Sequence, residues 1–131
     1  MEEKMTYRES AFIIIFENMF LCLDDDELFD IASNIDNVSL SQKTWNLVKS
    51  VRENQENIEN VISSLSEKRS VQRIPRLNKA ILYIAIAEVL YNDKVPTNVA
   101  ISEAVNIAKK YALESDVKFI NGLLGSFSRS L

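Results

Sequence analysis

Histidine is absent from this chain of 131 residues, and cysteine occurs once, as Cys22. Without histidine there is no Ser-His-Asp or Cys-His hydrolytic arrangement, and the commonest transition-metal ligand is missing. One cysteine forms no internal disulfide and no thiolate cluster, which points to a reducing, intracellular setting with Cys22 as a buried or half-buried small hydrophobe. Glycine is nearly as scarce. Gly122 and Gly125 lie close together in a helical context, so no Walker or dinucleotide-binding glycine loop is present. Long apolar runs are lacking too. Residues 12–16 are apolar, but Arg8 and Glu9 precede them and Glu17 follows; residues 80–87 end against Glu88. Both runs fall well short of a membrane span, and the opening Met-Glu-Glu-Lys lacks the cationic region of a secretory signal. The expectation is a soluble cytoplasmic protein with no membrane partner.

What remains is a chain rich in helix formers, with a formal charge of -4 and only two prolines. Its length suits one domain over residues 1–131 with one main core. A first helix is expected over residues 6–22, with Ala11, Phe12, Ile14 and Ile15 available to the core and Arg8 near its exposed beginning. The Asp24-Asp25-Asp26-Glu27 run suits the start of a second helix, where carboxylates face the positive end of the backbone dipole. Its apolar content comes from Leu28, Phe29, Ile31 and Ala32. Ser39 and Gln42 have capping-box spacing and predict a long third helix, whose stripe runs through Trp45, Val48, Val51 or Arg52, Gln55, Ile58, Val61 or Ile62, and Leu65.

Pro75 marks the next start. A helix over residues 75–90 would bury Ile81, Leu82, Ala85 and Val89, and residues 91–94 form a turn before Pro96. Ile101, Ala104, Val105, Ala108 and Tyr111 or Ala112 then line one face of another helix. Ser115 caps a final helix in which Phe119, Leu123 and Phe127 recur every four residues, flanked by Ile120 and Leu124. Gly122 within it costs roughly 1 kcal/mol relative to alanine. A close helix crossing would explain it.

The acidic clusters suit helix starts and solvated faces better than magnesium sites, which need converging ligands from elsewhere. Charge segregation is more informative. Between Lys68 and Ala87 the chain carries Lys68, Arg69, Arg73, Arg76 and Lys79 and no Asp or Glu. If folding placed this segment beside Arg8 and the amino end of the last helix with Lys118, basic side chains and free amides would face a phosphate backbone. Phe119 would then be a candidate for stacking on an unpaired base. Against that stand plainer readings: a basic solvated surface, Phe119 as a core residue, and Arg8 pairing with Glu9 or another carboxylate.

Ordered motifs carry a resemblance over nearly the whole chain. Ile81-Leu82-Tyr83-Ile84-Ala85-Ile86-Ala87-Glu88, Val95-Pro96 and Val99-Ala100-Ile101-Ser102-Glu103-Ala104-Val105 are followed by Ala108-Lys109-Lys110-Tyr111 and Lys118-Phe119-Ile120-Asn121-Gly122-Leu123-Leu124. In these the chain resembles the NusB family of transcription antitermination factors. The resemblance implies an all-α bundle of two packed helical subdomains. It also implies binding to boxA-like single-stranded RNA together with ribosomal protein S10, within a transcription elongation complex containing RNA polymerase and other Nus factors. No catalysis and no cofactor are implied. A related helical domain fronts an RNA cytosine methyltransferase, but the chain ends before a catalytic domain, and no enzyme is expected.

Residue by residue, the family's arginine-rich leader corresponds chiefly to Arg8, with Lys4 nearby; Glu2, Glu3, Thr6 and Tyr7 replace much of its basic character. Tyr83 stands where arginine is usual and Asn78 where aspartate is usual, so an ion pair of relatives is expected to be missing. The RNA-contact set is Lys4, Arg8, Arg69, Arg73, Arg76, Lys79, Lys118, Phe119 and Asn121. Within it Lys118 meets phosphate, Phe119 lies against or near a base, and Asn121 makes polar contacts or orders the helix start. Gly122 is architectural, and Glu88 and Glu103 organise helix contacts. The alternative is a protein-only helical adaptor or homodimeric scaffold.

Overall fold

The computed structural model describes residues 5–66 and 70–131, and every regular element among them is helical. Helix α1 spans Tyr7–Leu21, α2 Asp25–Ala32, α3 Gln42–Glu53, α4 Gln55–Leu65, α5 Arg76–Tyr91, α6 Thr97–Tyr111 and α7 Glu114–Ser130. A short 3₁₀ turn, Val71–Arg73, precedes α5.

Local chemistry explains several boundaries. Thr6 caps α1 by accepting from the Glu9 amide, and Asp24 and Glu27 form a reciprocal capping box at α2. Pro75 immediately precedes the first residue of α5, where a missing N–H costs nothing. Cys22 ends α1 in the left-handed region at φ 55°, while its N–H donates to the Asn18 carbonyl. It is exposed, against the expectation of burial.

The long third helix is two helices. Asn54, with φ -118° and ψ 16°, separates α3 from α4, and its side-chain Nδ2 donates to the Ser50 carbonyl at 2.8 Å. An asparagine that bonds back to the preceding turn competes with the helical ladder at that point. The start also moves. Ser41 caps α3 through the Thr44 amide, whereas the Ser39 amide donates to Ser10 Oγ at 2.9 Å and stays outside the helix. Helix α7 begins one residue before Ser115, with Leu113 at its cap position and no side-chain cap bond.

Helix α5 is the axis of the bundle. Residues 80–88 are each at most 2 % exposed, and a helix apolar around its circumference is stable only when neighbours cover it. Those neighbours are α1, α3 and α4 together with α6 and α7. Ala100, Ala104 and Ala108 form the most buried edge of α6, while Phe12 of α1 packs on Tyr111 with ring centroids 5.1 Å apart. Each large aliphatic side chain enclosed in this way contributes about 1.5–3 kcal/mol of transfer free energy. In α7 the dominant strip is Ile120, Leu124 and Phe127, with Phe119 only half-buried. Gly122 is exposed, and a Cβ there would meet nothing within 4 Å. The close crossing expected at that glycine does not exist.

Candidate nucleic-acid interface

The amino end of α1 meets the far end of α5 through charge. Arg8 Nε donates to Glu88 Oε1 at 2.6 Å, and the Tyr7 hydroxyl donates to the other carboxylate oxygen. Glu88 is 2 % exposed, so these two residues supply the partners that its burial requires. Burial, reinforced by the bond to Glu88, holds the Tyr7 hydroxyl well above the usual phenol range. At the next residue of α1, Lys110 Nζ and the Tyr111 hydroxyl each reach Glu9 Oε1 at 2.6 Å. Burial opposes ionisation of Glu9, but these bonds and the lysine charge together lower its carboxyl below the ordinary value. The Glu9 bond correspondingly raises Lys110. Arg8 therefore pairs across the fold with Glu88 rather than with the adjacent Glu9.

The basic segment lies elsewhere. Arg73 is exposed on the 3₁₀ turn, and Arg76 is exposed with its guanidinium 5.1 Å from the Phe20 ring centroid. Half-buried Lys79 joins Arg76 and Arg52 in a cleft where the end of α1 meets α4 and the start of α5. Arg52 is already held by Asp25 at 2.7 Å and by the Leu23 carbonyl at 2.7 Å. Along α5, Arg76 and Glu88 are twelve residues apart, or about 18 Å of helix rise. The segment and Arg8 consequently do not form one patch. Lys4 and Arg69, with Lys68, lie outside the described residues.

Two substituted positions of this helix settle differently. Tyr83 donates its hydroxyl to Glu59 at 2.6 Å, and burial with this bond pushes its ionisation upward. Asn78 is fully buried, and among the described residues neither polar atom of its side chain has a hydrogen-bond partner.

On α7, Lys118 and Asn121 are exposed, while Phe119 packs partly against the core. Asn121 opens into a groove between α6 and α7 that also holds Lys109, Arg129, Asn106 and Ser102. This polar groove supplies cations that the sequence reading did not select. Lys109 and Arg129 could have been found from helical spacing once the α6–α7 pairing was known; Arg52 was legible only as one option within an apolar stripe. Among the described residues, no group of three acidic or cysteine side chains could hold a metal ion, and no helix is long and apolar enough to cross a membrane.

The sequence profile described as "NusB family" matches residues 5–129. This chain belongs to the NusB family. The transcription antitermination protein NusB of Pseudothermotoga lettingae is 34 % identical over 134 residues, covering 99 % of this chain and 94 % of that protein. The solved structure of T. maritima NusB superposes with a TM-score of 0.82 at 26 % identity, covering 96 % of this chain and 92 % of that one. The antitermination factors NusB and NusE, solved in complex with double-stranded RNA, include a chain with a TM-score of 0.82 at 22 % identity. That match covers 95 % of each chain and establishes likeness of fold.

Proposed function

We propose that this NusB family member is a non-catalytic, cytoplasmic transcription antitermination factor. It binds boxA-like single-stranded RNA together with ribosomal protein S10 and joins RNA polymerase and other Nus factors in processive transcription of ribosomal RNA operons. Residues 1–131 act as one RNA-binding domain. The observation that carries this reading is the family match across residues 5–129, combined with the exposure of Lys118 and Asn121 beside half-buried Phe119 on α7. Lys118 meets phosphate, Phe119 supports a base, and Asn121 supplies polar contacts from the α6–α7 groove. Arg8 contributes mainly by fixing α1 on Glu88, while Arg73, Arg76 and Lys79 provide a separate positive field that attracts RNA.

Fluorescence anisotropy with labelled boxA-like RNA tests the reading. The protein with S10 should bind this RNA more tightly than either protein alone and more tightly than a scrambled sequence. Equal affinity for both RNAs, with or without S10, would sink it. A protein-only adaptor is the second reading, favoured by the exposure of Phe20 at 58 % and of Leu21 at 45 %. Recovery of S10 or a homodimer with no dependence on RNA would support that alternative.

A further inference from the structure

A cleft where the amino end of α1 approaches α3 and the carboxyl end of α5 is not used by the RNA contacts proposed above. Its volume is about 480 Å³, inside the range of about 300–1,000 Å³ common for small-ligand sites. Leu47, Ala87 and Val95 give it an apolar floor. Tyr7 and Tyr91 contribute aromatic surface, and the Tyr91 hydroxyl is fixed by a bond from Asn57 Nδ2 at 2.6 Å. Glu88 also borders the cleft, but Arg8 and Tyr7 occupy its carboxylate.

Apart from the Ser50 hydroxyl, which can donate or accept, the remaining polar side chains offer donors. Lys43 and Lys94 are exposed at the cleft, and among the described residues neither has a carboxylate partner. Asn46 Oδ1 accepts from Gln42, and Asn92 Oδ1 accepts from the Lys94 amide. Both carboxamides therefore retain their NH₂ groups as donors. Lys43 Nζ already lies 5.7 Å from the Tyr7 ring centroid, which places positive charge beside an aromatic face. Two ammonium groups, two amide donors and flat apolar surface together select a ligand with an anionic, acceptor-rich end and a planar ring.

We propose that this cleft binds one ribonucleotide, with its base against the aromatic and apolar surface and its phosphate at Lys43 and Lys94. The ligand is a nucleotide of bound RNA or a free nucleotide; the RNA source rests on the proposed RNA-binding function, whereas the cleft chemistry does not.

Titration of ¹⁵N-labelled protein with adenosine 5′-monophosphate, inorganic phosphate and boxA-like RNA tests this assignment. The monophosphate should shift the amides of Asn46, Ser50, Asn92 and Lys94 saturably, and more tightly than phosphate alone. The K43E/K94E variant alters exposed side chains and should lower monophosphate affinity about tenfold through reversal of both cationic contacts. Parallel loss of RNA affinity would identify an RNA nucleotide as the ligand; retained RNA affinity would identify a free nucleotide. The proposal is overturned by absence of saturable shifts with the monophosphate, by equal binding of inorganic phosphate, or by unchanged affinity in K43E/K94E. Failure of boxA-like RNA to bind in every arm would overturn the antitermination reading separately, because the monophosphate arm contains no RNA.

Discussion

Removing Arg8 should destabilise the fold far more than removing an ordinary surface arginine. Arg8→Met preserves much of the aliphatic stem but strands the Glu88 carboxylate, which is 2 % exposed, with only the Tyr7 hydroxyl as partner. Breaking a buried pair by deleting one member costs about 3–5 kcal/mol. The Arg8 side chain is 16 % exposed and Tyr7 keeps its bond, so about 2–4 kcal/mol is expected here. At about 4 °C per kcal/mol for a domain of this size, Tm should fall by roughly 10 °C. Urea unfolding of Arg8→Met, Glu88→Gln and the double variant would isolate the coupling between them. The double variant should be less destabilised than the sum of the singles by about 2 kcal/mol, because it leaves no unpaired charge. A loss below about 1 kcal/mol in Arg8→Met, or simple additivity, would refute this account of the α1–α5 contact.

Phe119→Ala should lower stability by about 2 kcal/mol, less than a fully buried phenylalanine, and weaken RNA binding by about 1–3 kcal/mol if a base stacks there. Urea melts paired with anisotropy separate the effects; lower stability with unchanged affinity of folded protein would leave Phe119 as a core residue alone. Asn78→Leu removes two buried polar atoms that lack partners among the described residues and should leave stability unchanged or raise it by about 1–2 kcal/mol. A measured loss above about 1 kcal/mol would show that the amide has a stabilising role. Glu9 ionises more readily folded than unfolded, so its contribution is present above the ordinary value of 4.5 and is lost as pH falls through the lower folded value. Glu9→Gln should therefore show a shallower stability loss than the parent as pH falls below the ordinary value of 4.5; identical slopes would exclude this linkage.

Helix starts were legible where one side chain sufficed to make them. Asp24 and Pro75 lie at or next to the starts predicted from their chemistry, α1 begins within one residue of its expected bound, and the long apolar run of α5 correctly implied a packed element. Ser39 failed as a cap because Ser10, twenty-nine residues earlier, takes its amide. Asn54 broke the third helix through a side-chain bond that the apolar periodicity does not register. Ser115 had good cap chemistry, yet α7 begins earlier, at an exposed Leu113 cap position with no side-chain cap bond, and nothing in the local packing explains that choice.

The site was less legible because its geometry depends on distant segments. Eighty residues separate Arg8 from Glu88, and no local pattern signals their ion pair. Likewise, whether the basic run around the start of α5 joins Arg8 in one surface depends on the fold, and helix rise carries it away from Arg8. Lys118 was singled out by its charge at the start of the last helix and Asn121 by the family resemblance, but the groove beside Asn121 becomes visible only when α6 and α7 pack together.

The most direct measurement is the salt dependence of boxA-like RNA binding by the parent and by Lys118→Ala, each with S10. The account predicts weaker binding by Lys118→Ala and a slope of log affinity against log salt shallower by about 1, corresponding to one lost phosphate contact. Parallel lines with equal affinity, from variants that melt alike, would contradict the assignment of Lys118 to the RNA backbone.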